Sequence, residues 1–268
     1  MAGELPQTVL GRTGLRVTRL GIGGAYCETP EGYSAALDCG VTYVDTARAY
    51  RDGQDEEVIG RAIQGRRHQL VLATKTGQRD AAGARQDLET SLRLLQTDYL
   101  DIWQIHHLNT QEEREKALGP GGAMETVAKA RQEGLVRFVG VTGHDWVQIQ
   151  AAVATGLFDT VLCWYNCAMK EPEQTVLPEA QKQDTGVVIM NASRNTKLFE
   201  EAGIPPREQF YRYVLSHPAV NLTIMGLRDV EIFRQLSAAL AGSLAITPQE
   251  KADLETYGAA LRAAGKLD

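Results

Sequence analysis

The feature that most constrains the fold is a repeated alternation along the chain. From Leu20 onward, short apolar runs rich in β-branched residues alternate with amphipathic segments of roughly ten or more residues. This alternation is typical of βα units that build a parallel sheet. It predicts eight strands, at residues 20–24, 42–46, 70–75, 100–106, 137–143, 160–166, 186–192 and 221–227.

The character of these runs indicates how the strands are arranged. Residues 70–73 and 186–190 are almost continuously apolar, which predicts burial on both faces of the sheet. Eight such units with helices outside predict a closed (β/α)8 TIM barrel. Residues 9–17 form two short runs around a glycine-containing turn, which predicts a β-hairpin at the N-terminal end of the barrel. A capping box at Thr247 and Glu250 predicts an extra C-terminal helix.

Composition narrows the class of protein and of partner. The 268 residues show no linker or low-complexity tract, so we expect a single domain over residues 1–268. The net charge of -6 argues against nucleic acid and anionic membranes and favours a small-molecule partner. Four scattered cysteines indicate neither disulfides nor a metal site, and with no leader or long apolar run we expect a cytoplasmic protein. The oligomeric state stays open.

Four ionisable residues lie at or just after the ends of consecutive predicted strands. Asp45 and Tyr50 follow the second strand, Lys75 ends the third and His106 ends the fourth. Neighbouring strands are about 4.8 Å apart, so these side chains can meet at the C-terminal mouth of the barrel, where this fold places its chemistry. Singly, each has a structural explanation: a helix cap, a lid over the core, a solvated lysine or a core histidine. Their joint placement favours a site.

The chemistry of such a group suits carbonyl reduction. A lysine ammonium beside a phenol favours the ionised phenol, and a carboxylate can hold that lysine charged. Tyr50 is then a general acid toward a carbonyl oxygen, with Lys75 and His106 stabilising and orienting that oxygen. In the oxidative direction, Tyr50 is the base.

Several motifs resemble those of the aldo-keto reductase family. They are GVTYVDTARAY at 40–50, EEVIG at 56–60, ATK at 73–75, DYLDIWQIH at 98–106 and GVTGH at 140–144. The resemblance covers nearly the whole chain, from the hairpin to the eighth unit. It implies that Asp45, Tyr50, Lys75 and His106 are a catalytic tetrad. It also implies that NADP(H), with NAD(H) as the alternative, lies extended across the mouth without a Rossmann fingerprint.

The residues around the expected cofactor depart from the family pattern. The family's Ser-Asn pair falls on Thr142 and Gly143, its glutamine on Leu162 and its stacking aromatic on Ala192. The resemblance still leaves a set of expected cofactor contacts: Thr142, Gly143, His144, Ser193, Gly226 and Arg228. Amides of the helix after the eighth strand are expected to meet a phosphate. Arg228 suits a 2′-phosphate, whereas acidic Asp229 and Glu231 keep NAD(H) open.

Polar residues near the mouth indicate the kind of substrate. We expect contacts from Arg48, Asn191 and Arg194, which suit a hydroxylated or anionic carbonyl compound such as a sugar. His107 should point away from His106, because side chains alternate along a strand. Two other functions remain open: a lyase with Lys75 as a Schiff-base nucleophile, and a non-catalytic nicotinamide-binding interaction protein. The physiological substrate and the reaction direction are not determined.

Overall fold

The computed structural model describes residues 3–200 and 203–267. Near the N-terminus, β1 (Gln7–Val9) pairs antiparallel with β2 (Arg16–Thr18). The predicted hairpin is therefore present. Its turn contains Gly14 at a φ of 68°, in the left-handed region that glycine adopts without strain.

Eight parallel strands follow and close into a barrel. They are β3 (Leu20–Gly23), β4 (Tyr43–Asp45), β5 (Val71–Thr76), β6 (Leu100–Ile105), β7 (Val136–Thr142), β8 (Thr160–Trp164), β9 (Gly186–Met190) and β10 (Leu222–Gly226). Each strand pairs with the next in the chain, and β10 pairs with β3 to close the ring. The predicted (β/α)8 barrel is confirmed, and the strand ends differ from those predicted by at most two residues.

Helices pack around the outside of the barrel. They are α1 (Pro30–Leu37), α2 (Gln54–Ala62), α3 (Ala81–Leu95), α4 (Gln111–Leu118), α5 (Ala123–Gln132), α6 (Trp146–Ala154), α7 (Val176–Lys182), α8 (Arg207–Leu215), α9 (Val230–Gly242) and α10 (Pro248–Ala263). α10 is the expected C-terminal helix, and its capping box forms between Thr247 and Glu250. None of the helices in the described ranges has the length and apolarity needed to cross a membrane.

The hairpin closes the N-terminal end of the barrel. Leu10 and Val17 are fully buried and belong to the same interior cluster as Val188 and Leu222. Arg12, in the hairpin turn, pairs with Asp159 at 3.3 Å and so ties the turn to the segment before β8. With this end closed, the carboxyl ends of the strands face the open mouth, where the candidate residues lie.

Candidate active site

Three of the candidate residues meet at the Lys75 ammonium. Asp45 ends β4, Lys75 lies in β5, and Tyr50 begins a short turn after β4. Lys75 Nζ donates hydrogen bonds to Asp45 Oδ1 at 2.5 Å, to the Thr46 carbonyl at 2.7 Å and to the Tyr50 hydroxyl at 3.3 Å. An ammonium has three protons, so each has a partner here. Lys75 and Asp45 are both 1% exposed.

His106 completes the group from the next strand. It follows β6 directly, and its backbone N–H donates to the Thr76 carbonyl at 2.9 Å, which holds it beside β5. Its ring lies edge-on to the Tyr50 ring, with 5.9 Å between centroids. The structure thus brings Asp45, Tyr50, Lys75 and His106 to one place, and we refer to them as the candidate tetrad.

Burial and charge determine the protonation of this group. Burial raises the pKa of Tyr50, and Lys75 only partly opposes this, so the phenol keeps its proton at neutral pH. Burial also lowers the pKa of Lys75, but Asp45 and Tyr50 raise it by more, so the amine stays charged. Burial, followed by the Lys75 charge, lowers the pKa of His106, whose imidazole is therefore neutral. Lys75 favours the ionised phenol as expected, but burial outweighs it.

A second layer of buried polar residues supports the tetrad. Thr46, whose carbonyl accepts from Lys75, donates from its hydroxyl to Asp55 Oδ2 at 2.6 Å. Asp55 Oδ1 accepts from the Tyr33 hydroxyl at 2.7 Å. Asp55 is fully buried at the start of α2. Asp55 has no signal in the sequence that points to this role, because an acidic residue in the first turn of a helix has an ordinary electrostatic explanation.

Arg48 is held by a buried partner beside the turn that carries Tyr50. Its guanidinium pairs with the buried carboxylate of Glu56 and packs over Gly53, which has a φ of 90°. Within the described residues, Arg48 is not part of the cleft beside the tetrad. The structure therefore gives Arg48 a different task from the one expected: it anchors the turn that carries Tyr50.

Beside the tetrad lies a cleft of about 390 Å³. Most of the remaining predicted residues line this cleft: Thr142, His144, Asn191, Arg194 and Gly226. Ser193 and Arg228 line an adjoining groove of about 120 Å³ that runs toward α9. Gly143 lies beside the cleft, where an added Cβ would come within 2.6 Å of Ile149.

One wall of the cleft consists of four rings, of which only His106 and His144 were expected at the site. His106, His107, His144 and Trp164 form a continuous series, with ring centroids 3.8, 4.6 and 4.2 Å apart, and we call it the aromatic wall. The expectation that His107 points away was wrong. The strand ends at Ile105, and His107 has a φ of 56°, so the alternation of side chains no longer applies. Trp164, at the end of β8, carried no motif that would have selected it.

The start of α9 also differs from the expectation. Asp229 Oδ1 accepts hydrogen bonds from the amides of Glu231 and Ile232, at 2.8 and 3.1 Å. These two amides of α9 are therefore capped by a carboxylate of the chain itself, which removes them from the donors expected for a phosphate. Arg228 instead lies over the Tyr26 ring at 3.7 Å and donates to Asn195 at 2.9 Å.

Fold and site together define a class of protein. A closed (β/α)8 barrel with an N-terminal hairpin carries a tyrosine, a lysine, an aspartate and a histidine at the carboxyl ends of adjacent strands. This is the arrangement of a barrel oxidoreductase. The chain belongs to the aldo/keto reductase family, whose model matches residues 28–196.

Individual relatives agree with this assignment. The aldo-keto reductase YhdN of Bacillus subtilis is 34% identical over 197 residues, which are 65% of this chain and 58% of YhdN, so the match spans less than two thirds of that relative. The uncharacterized oxidoreductase YqkF of the same organism is 25% identical, covering 92% of this chain and 95% of YqkF. An aldo-keto reductase from Klebsiella pneumoniae, solved in complex with NADPH, is 26% identical with a TM-score of 0.80, covering 97% and 96% of the two chains.

Proposed function

We propose that this protein is an NADP(H)-dependent oxidoreductase that interconverts a carbonyl and an alcohol, with Tyr50 as general acid and base. The observation that carries the proposal is the position of Lys75 Nζ, which contacts both Asp45 and the Tyr50 hydroxyl. A charged ammonium at this position stabilises a phenolate after the phenol has given up its proton. His106 lies beside Tyr50 and is neutral, so it can make a polar contact to the carbonyl oxygen of the substrate without adding a charge.

The direction of proton movement follows from this arrangement. When bound, the nicotinamide cofactor supplies a hydride to the carbonyl carbon. Tyr50 donates its hydroxyl proton to the carbonyl oxygen, and Lys75 stabilises the phenolate that remains. His106 orients the carbonyl oxygen through its neutral imidazole. In alcohol oxidation, Tyr50 takes the proton back.

The cleft and the adjoining groove suit a dinucleotide. The cleft and the groove share Tyr26, Asn191, Asn195 and Gly226 in their linings, and the Tyr26 ring packs against Gly226, so the two volumes are continuous beside an aromatic face. Thr142 and His144 would lie at the nicotinamide end, and Ser193 and Arg228 at the phosphate end. The Klebsiella pneumoniae relative was solved with NADPH, which supports NADP(H) before NAD(H). The guanidinium of Arg228 forms no ion pair with any described residue and so remains open to a 2′-phosphate.

The environment of Lys75 disfavours a Schiff-base lyase. A nucleophilic lysine must be neutral, but Asp45 and Tyr50 raise the pKa of Lys75 beyond what burial removes. Its protons are also all engaged in hydrogen bonds. We further propose the cytoplasm as its compartment, since its four cysteines are free thiols, which a reducing environment maintains.

The test combines cofactor binding with turnover. Fluorescence titration with NADPH and NADH should show binding of both, with NADPH tighter, and a panel of aldoses, sugar acids and apolar aldehydes should show NADPH oxidation. Tyr50→Phe should leave NADPH affinity unchanged and lower kcat by about 100- to 10,000-fold, because only the proton donor is lost. Tyr99→Phe is the matched control, since its ring packs under Arg67 before β6, far from the mouth.

Three results would contradict the proposal or its assignment of Tyr50. Cofactor binding without turnover of any carbonyl would favour the non-catalytic interaction protein. Borohydride trapping of a substrate on Lys75 would favour the lyase. A Tyr50→Phe variant that retained full turnover would remove the assigned proton donor while leaving the family assignment untouched.

A further inference from the structure

A cation is fixed on the wall of the cleft by an aromatic ring. The Arg194 guanidinium lies 4.6 Å from the centroid of the Trp164 ring, a distance typical of a cation–π contact. Trp164 in turn stacks on His144, and its carbonyl accepts a hydrogen bond from Trp146 Nε1 at 3.1 Å. Arg194 is thus held by a ring that is itself fixed to β8 and α6.

This guanidinium has no acidic partner. Arg194 forms no ion pair and no side-chain hydrogen bond among residues 3–200 and 203–267, and its Nε atom is buried without any partner. A buried donor on a charged group normally has an acceptor, since leaving it unpaired costs free energy. The position therefore suits an acceptor that arrives with a ligand.

The other groups of the cleft do not supply a negative charge. The wall histidines His106, His107 and His144 are neutral, because burial lowers the pKa of each. The carboxylate of Asp45 is already engaged by Lys75 and by Gln104. The cleft beside the tetrad thus contains an unpaired positive charge at Arg194.

Two arginines without an acidic partner among the described residues line different parts of the site: Arg194 lines the cleft beside the tetrad, and Arg228 lines the adjoining groove and donates to Asn195. Arg194 contacts Trp164, which belongs to the aromatic wall. The other end of this wall is His106, a member of the candidate tetrad. Arg228 contacts Tyr26 in the groove toward α9. This separation assigns Arg228 to the phosphates of a dinucleotide and leaves Arg194 for the substrate.

We propose that the substrate is a carbonyl compound with a carboxylate, such as an oxo acid or a sugar acid. Arg194 pairs with this carboxylate, and Tyr50 donates its proton to the carbonyl oxygen. The proposal rests on the proposed function of the same site. Arg194 is then a specificity-determining residue, and Trp164 is the positioning residue that holds it. A neutral carbonyl of the same shape leaves Arg194 unpaired and is a poorer substrate.

The first experiment compares charged and neutral substrates of matched shape. The probes are 4-carboxybenzaldehyde against its methyl ester, and glucuronate against glucose. In the wild-type protein, kcat/KM should favour the acid of each pair by at least about 10-fold, the usual range for a charge-assisted hydrogen bond. Arg194→Gln should abolish this preference by raising KM for the acid, and Arg194→Lys should restore part of it.

The second experiment measures binding without turnover. Benzoate, which has no reducible carbonyl, should quench tryptophan fluorescence of the wild-type protein in the presence of NADP⁺, and Arg194→Gln should weaken its binding by about 10- to 100-fold. Trp164→Phe identifies the ring that reports the binding. The dissociation constant of NADPH should be unchanged in Arg194→Gln and raised in the matched variant Arg228→Gln. Thermal unfolding of each variant checks that it folds.

The outcomes separate this proposal from the proposed function. Equal turnover of acid and ester overturns the carboxylate subsite and leaves the redox assignment standing. Loss of NADPH affinity in Arg194→Gln, without a change in acid preference, shows that Arg194 pairs with the cofactor phosphates and also overturns it. Arg194-dependent benzoate binding by a protein that turns over no carbonyl supports the anion subsite and overturns only the redox assignment.

Discussion

The Gln104 side-chain amide donates a hydrogen bond to Asp45 Oδ2 at 2.7 Å, on the carboxylate oxygen that Lys75 does not contact. Both residues are 1% exposed. Because each carboxylate oxygen has its own donor, the carboxylate cannot rotate without breaking a buried hydrogen bond. Gln104 therefore fixes the carboxylate that directs Lys75 toward Tyr50.

Replacing Gln104 tests this arrangement. In Gln104→Met, Asp45 Oδ2 loses its donor in a buried site, and we expect the free energy of unfolding to fall by about 1–3 kcal/mol. The pKa of Asp45, already raised by burial, should rise further because Gln104 opposes that rise. Urea denaturation at neutral pH measures the stability. Gln111→Met, which removes an exposed hydrogen bond to Glu115, is the control and should have little effect.

The turn that carries Tyr50 depends on Gly53. Gly53→Ala places a methyl group where the Arg48 guanidinium lies, so this guanidinium must shift and its pair with the buried Glu56 is disturbed. Gly65→Ala is the matched control, because Gly65 also has a positive φ but has open space around its Cα. Both variants bear a backbone cost of about 1–2 kcal/mol. Only Gly53→Ala should lose further stability and have a lower kcat. If Gly53→Ala and Gly65→Ala had the same stability in denaturant and the same steady-state rate, the role assigned to Arg48 would be contradicted.

Stability should fall in mild acid because of the aromatic wall. Burial lowers the pKa of His144 to about 4 and also lowers that of His107, relative to about 6.5 in the unfolded chain. Below pH 6.5 the unfolded chain takes up protons that the folded protein does not, so the stability present at neutral pH is lost as the pH falls. Each histidine contributes at most about 1.4 kcal/mol per pH unit.

Denaturant midpoints at pH 7.5 and 5.5 measure this loss. His144→Gln should show a smaller loss of stability between these two pH values than the wild-type protein, since it removes one of the groups that titrate only after unfolding. An unchanged difference would mean that His144 does not contribute to the acid sensitivity.

The hairpin should contribute stability but not chemistry. Leu10 is fully buried and faces Gly186 at the start of β9, so Leu10→Ala should cost about 2–5 kcal/mol. Because this end lies opposite the mouth, the kcat of the folded fraction should be unchanged at low temperature. Val9→Ala, at a residue that is 45% exposed, is the control and should be close to neutral. A large drop in kcat without a stability change in Leu10→Ala would contradict this division.

Much of the architecture was predictable from the chain alone. Strand and helix periods, glycine turns and the capping box at Thr247 are local properties, and the structure confirms the barrel, the hairpin and α10. The convergence of Asp45, Tyr50, Lys75 and His106 also followed from sequence, because parallel strands in register bring their carboxyl ends to one mouth.

The partners of long and loop-borne side chains were decided only by the tertiary structure. Arg48 pairs with Glu56 because this buried carboxylate lies within its reach. Asp229 accepts hydrogen bonds from two amides of α9 that were expected to bind a phosphate. His107 lies in the aromatic wall because its backbone is no longer extended after β6. Sequence periodicity determines which face of an element is buried. It does not determine which of several nearby charges or rings a flexible side chain contacts, since that depends on distances between segments far apart in the chain.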